Sequence, residues 1–200
     1  MTRPYKEKGF TLGRADLSTR VLISAFLCAV LVGVFIAGWQ YANRSGGLGP
    51  QSAQEWVLGN EDDEEAEVFR VAKGETELLA FTHDHIFSLA MLLFVVFHLV
   101  QLTPLSQRQK IALILLGFGG LLGTLGLPWV LRAAGVDGGG LWAPLLIVSG
   151  TSLLLSLAIG SIVVLLEMWI WPGRRRRRGR PEAAAADPMF PPKDGPAAKS

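Results

Sequence analysis

Charge is missing from long stretches of this chain, and that absence constrains the fold more than any motif does. Val21 to Asn43 runs 23 residues without an Asp, Glu, Lys or Arg. As a helix that run is roughly 34 Å long, enough to cross a bilayer. Further apolar runs cover 82–103, 111–131 and 144–171, and the charges collect between them. A soluble core does not segregate charge in this way, and the 50% hydrophobic content agrees. The expected fold class is an all-α integral membrane protein, a bundle of four transmembrane helices. It has a basic cytoplasmic N-terminus over 1–20, one acidic extracytoplasmic loop over 44–81 and a disordered basic cytoplasmic tail over 172–200. A secretory signal would have a shorter core and an Ala-x-Ala-like site; here Trp39, Gln40 and Tyr41 close the run instead, so the first helix is expected to be retained.

The gaps set the orientation. The N-terminus carries +3, the 104–110 connection +2 and the tail +5, whereas the 44–81 loop carries −6 and the 132–140 turn is neutral. Basic and non-basic segments alternate across four spans, as the positive-inside rule requires. Both termini are therefore expected in the cytoplasm of a bacterial inner membrane, with the acidic loop outside. The block Glu61-Asp62-Asp63-Glu64-Glu65 reads as a solvated segment, with a cation funnel or basic-partner dock as the alternative. Within the loop, 54–58 and 68–71 read as short interfacial helices. The run Arg174 to Arg180 reads as an anionic-lipid contact, and nucleic-acid binding is not expected.

Small residues mark packing faces. Ala25, Ala29, Gly33 and Ala37 recur every four residues on the first span. Ala112, Gly119, Gly123 and Gly126 share a face of the third, and Gly119 with Gly123 predicts close backbone approach. Pro128 marks a kink or an end of that helix, and Pro144 places the start of the fourth. On the fourth span, Ser149, Ser152, Ser156, Gly160, Val163 and Glu167 form a polar and small stripe leading to a carboxylate. Glu167 is expected either to snorkel to the interface and pair with Arg174, or to continue a proton or cation path.

All three histidines sit on the second span, with Thr82-His83-Asp84-His85 at its head and His98 near its tail. Thr82 suits a helix cap and Asp84 a first turn. His83, Asp84 and His85 beside an acidic loop suggest a divalent-metal site, although two histidines two residues apart diverge by 200° on a helix. His98 lies in an apolar setting where its imidazole needs a partner. His83 and His98 are 15 residues apart and within 60° of each other, with Phe87 and Phe94 between them.

That layout resembles the haem-bearing helices of membrane cytochromes b, in which histidines on spanning helices hold a haem near each face. The resemblance covers the second span alone and implies b-type haem as a cofactor, with His98, His83 and His85 as candidate ligands. The other spans hold no histidine, so a second axial ligand would come from a symmetric mate or another subunit. The leading expectation is a small membrane subunit or accessory protein of a larger assembly, redox-linked at the second span through haem or quinone. A cation or proton transporter using His83, Asp84, His85 and Glu167 is the alternative, and a scaffold recruiting partners through loop and tail is a third. Expected partners are other membrane subunits or further copies of the chain. One cysteine, Cys28, excludes a disulfide framework and a thiolate cluster within the chain. No hydrolase, kinase or nucleophile motif is present.

Overall fold

The computed structural model describes residues 12–44, 49–61, 63, 65, 66 and 68–170. Residues 1–11, the turn at 45–48, three acids of the loop (Asp62, Glu64, Glu67) and the tail from 171 on, with its arginine run, lie outside the described residues. After a 3-10 turn at Leu12–Arg14 come five α-helices, α1 (Leu17–Arg44), α2 (Pro50–Leu58), α3 (Glu75–Gln101), α4 (Gln107–Ala134) and α5 (Gly139–Trp169). A second 3-10 turn, Val136–Gly138, joins the last two. The described residues contain no strand. Four of the helices, 27 to 31 residues in the apolar part of each, are long and apolar enough to cross a membrane.

α4 and α5 form an antiparallel hairpin at the centre of the bundle. Glycine makes that contact close. A methyl group placed on Gly120 would come within 2.6 Å of Ser152 Oγ and 2.7 Å of the Leu153 amide nitrogen. One on Gly117 would meet the Phe97 ring and Ser156 Oγ, and one on Gly123 would meet Ser149. Apolar side chains gain nothing by leaving lipid, so backbone proximity supplies the attraction instead. The ridge is therefore Gly117, Gly120 and Gly123, not the Gly119 and Gly123 pair that spacing suggested. Gly119 and Gly126 have open space around them.

α3 packs against both members of the hairpin, and α1 packs on α5. Leu27 and Val30 of α1 join Leu93, Val96, Phe97, Leu121, Leu153 and Leu157 in the main core. α2 lies over the Trp129 end of the bundle, where Ala53 and Val57 pack on Leu131, Ala143 and Leu146. A methyl at the buried Gly139 would collide with the Gln54 amide, and Gln54 Nε2 donates to the Val136 carbonyl at 3.3 Å.

Several local expectations change. α3 begins seven residues before Thr82, at Glu75, with Gly74 as its N-cap. Glu75 and Glu77 fill the first turn, where negative charge suits the helix dipole. Thr82 is thus interior, donating to the Leu78 carbonyl and accepting from Trp129 Nε1 at 3.0 Å. α5 begins at Gly139, ahead of Pro144, and α4 continues through Pro128. The 68–71 stretch is not helical, and Asn60 holds it. Arg70 N donates to Asn60 Oδ1 at 2.7 Å, and Asn60 Nδ2 donates to the Val68 carbonyl at 2.8 Å. The 25–37 small stripe of α1 is exposed and touches nothing at Gly33.

Candidate functional site

The histidines of α3 all point out of the bundle. His83 and His85 are exposed on opposite sides of the helix, as the 200° divergence requires. His83 Nδ1 lies 3.5 Å from Asp84 Oδ1. His85 Nδ1 is 2.8 Å from the Phe81 carbonyl, and its ring lies against Phe81 with centroids 4.6 Å apart. Asp84 is an exposed interior residue of α3 and caps nothing. The three candidate metal ligands do not converge, and no group of three or more His, Cys, Asp or Glu that could hold a metal exists among the described residues.

His98 lies on the outer surface of α3, stacked on Phe94 with centroids 6.0 Å apart. Among the described residues no hydrogen bond joins its imidazole. Its depth follows from its neighbours. The contacts around Gly160 come from Val96, Phe97 and Val100, so His98 is level with Gly160. Trp169 is nine residues further along α5, about 13 Å at the helical rise. Thr82, bonded to Trp129 at the other end, is sixteen residues away, about 24 Å. The ring therefore sits in the third of the span nearest Trp169, in the last turn of α3. His98 belongs to an outward ridge. Ala80, Asp84, Phe87, Met91, Phe94 and His98 alternate spacings of four and three, and all are exposed.

The serine stripe of α5 faces inward and is filled. Ser149, Ser152 and Ser156 donate to the carbonyls of Leu146, Ser149 and Leu153, at 2.8 to 2.9 Å, and pack on the glycine ridge of α4. Glu167 does not reach the surface; it is 4% exposed. Lys110, 8% exposed, donates to the Gln101 carbonyl at 2.6 Å. Nearby, Arg20 donates to the Met168 carbonyl at 2.8 Å and lies 4.1 Å over the Trp169 ring, while Trp169 Nε1 donates to Ser24 Oγ at 2.9 Å. Arg20 and Trp169 thus tie α1 to α5, and Lys110 ties α4 to the end of α3. The spacing of Glu167 from Ser156 pointed to an inward carboxylate, whereas Arg20, which bonds the adjacent Met168 carbonyl, comes from a distant part of the chain.

At the α2 end of the bundle, a cavity of about 550 Å³ is lined by Trp56, Arg70, Val71, Lys73, Glu77 and Phe81. Its charges are paired, Arg70 with Glu55 at 3.2 Å and Lys73 with Glu77, and Arg132 donates to the Lys73 carbonyl. These bonds hold the loop down onto α2, α3 and α4.

Residues 47–178 match a protein family described as a transmembrane helical domain. That match begins after α1 and takes in α2 to α5. No curated protein and no solved structure matches the chain.

Proposed function

We propose that this chain, which belongs to the Aq_1264_TM family of transmembrane helical domains, is a subunit or accessory protein of a larger membrane assembly, redox-linked at α3. The observation behind this reading is the outward imidazole of His98 at membrane depth, with Phe94 stacked on it. Lipid tails offer that ring no hydrogen-bond partner, so a second chain, a quinone or a b-type haem would satisfy it. A haem there would take His98 as one axial ligand. His83 is 15 residues away, about 22 Å, so the other ligand would come from another chain. Charge alternation supports a bacterial inner membrane with both termini cytoplasmic. A cation path along the α5 serines is disfavoured, because their hydroxyls are engaged and the seam is packed.

The test is purification of the chain from its native membranes with its partners, followed by absorption spectroscopy. A Soret band that disappears in His98→Ala, with the complex still assembled, supports haem at α3. A colourless assembly removes haem and leaves quinone or helix contact. A chain that purifies alone, as a monomer, overturns the subunit reading.

A further inference from the structure

α3 and α4 present two complementary faces on the side of the bundle turned away from α5. On α3 the outward ridge carries its bulk at Phe87, Met91 and Phe94. It lies opposite Val96 and Val100, which face Gly160 of α5. On α4, Ala112, Gly119, Gly126 and Ala133 are exposed at intervals of seven residues and lie away from the ridge that meets α5. Between the exposed Leu115 and Leu122 and their neighbours they leave a groove of hollows, and neither Gly119 nor Gly126 has any atom within 4 Å of a would-be methyl. An interval of seven keeps a seam straight against a partner helix in left-handed packing.

The two faces also match in depth. Three contacts fix the level of α3 against antiparallel α4: Thr82 with Trp129, Phe97 with Phe118, and Gln101 with Lys110. The residue numbers in these pairs add to between 211 and 215. Phe94 with Gly119 and Phe87 with Gly126 each add to 213, so each exposed phenylalanine is level with an exposed glycine. A two-fold axis along the membrane normal leaves depth unchanged. It would bring the ridge of one copy against the groove of another twice over, as an isologous contact demands.

We infer that this face is a homodimer interface, in which Phe87 and Phe94 of α3 seat on Gly126 and Gly119 of α4 in a second copy. The inference rests on the subunit reading above and names its partner. His98 is level with the backbone between Ala112 and Gly119. There the missing side chain of Gly119 bares the Leu115 carbonyl to an imidazole N–H. One copy thus supplies the partner that His98 lacks among the described residues of its own chain.

The test uses two differently tagged full-length chains with Cys28→Ser, one carrying Phe94→Cys and the other Gly119→Cys, co-expressed and oxidised in membranes. A mixed-tag disulfide dimer is expected. It should be absent when Gly119→Cys is replaced by Gly33→Cys on α1. No mixed dimer, with both cysteines reactive to a membrane-permeant maleimide, overturns the inference. Gly119→Leu combined with Gly126→Leu should convert the dimer to monomer by native mass spectrometry, since both positions are open within one chain. A dimer that persists in that variant overturns it as well. Failure of the crosslink while the chain co-purifies with a different membrane protein removes the second copy but keeps the subunit reading. A lone monomer removes both.

Discussion

Asp16 shows how much one residue can organise at the start of a span. Its carboxylate accepts from Ser18 Oγ, from Thr19 Oγ1 at 2.6 Å and from Thr19 N at 3.2 Å. Its carbonyl accepts from Arg20 N, which makes Asp16 the N-cap of α1. Those donors, the Ser18 hydroxyl foremost, hold its pKa at about 2 against an ordinary 3.8. A depressed carboxylate contributes stability above its ordinary pKa and loses it as pH falls through the folded value. The first turn of α1 should therefore hold down to about pH 4 and fray as pH drops through about 2. Amide exchange at Thr19 in Asp16→Asn, which should lose that pH dependence, checks this. At the hairpin, Gly120→Val meets backbone of α5, and overpacking of that kind costs ~1–3 kcal/mol. Gly119→Val should lie within ~0.5 kcal/mol of the parent chain in its monomeric fold. Thermal unfolding in detergent separates the two. Sequence spacing could not rank these glycines, because Gly117, Gly119, Gly120 and Gly123 all satisfy a small-residue rule and only the rotation of α4 decides among them.

Among the elements, the loop and α2 hold the surprise. Gly59 has φ of +75°, and a methyl there would lie 2.6 Å from the Ala72 amide nitrogen. Gly59→Ala should therefore strain the turn by ~1–3 kcal/mol and release the loop from α3. Faster cleavage near 61–68 by a protease added to the outer face would report it. The four spans themselves were legible, because desolvating a charge in a bilayer costs too much for the pattern to be ambiguous. Helix starts were less so. Thr82 has the chemistry of a cap, but Gly74 and two acids place the start earlier, and the Thr82–Trp129 bond joins residues 47 apart. The outward direction of His98 was not legible either, since a core and a lipid tail select the same apolar neighbours.

For the whole molecule, charge and packing make one prediction about sidedness. In a Cys28→Ser chain, Glu65→Cys should react with an impermeant maleimide from outside, and Arg108→Cys should react only after the membrane is opened. The reverse pattern would invert the topology. The same layout has a consequence in time. α1 is made well before α5, its packing partner in the bundle. Arg44 and Trp169 are 125 residues apart, so at roughly 5–20 residues per second the first helix waits about 6–25 s in the membrane before Trp169 and Met168 arrive to receive Ser24 and Arg20. During that interval, its exposed alanines and glycine are on offer to every other chain being inserted nearby.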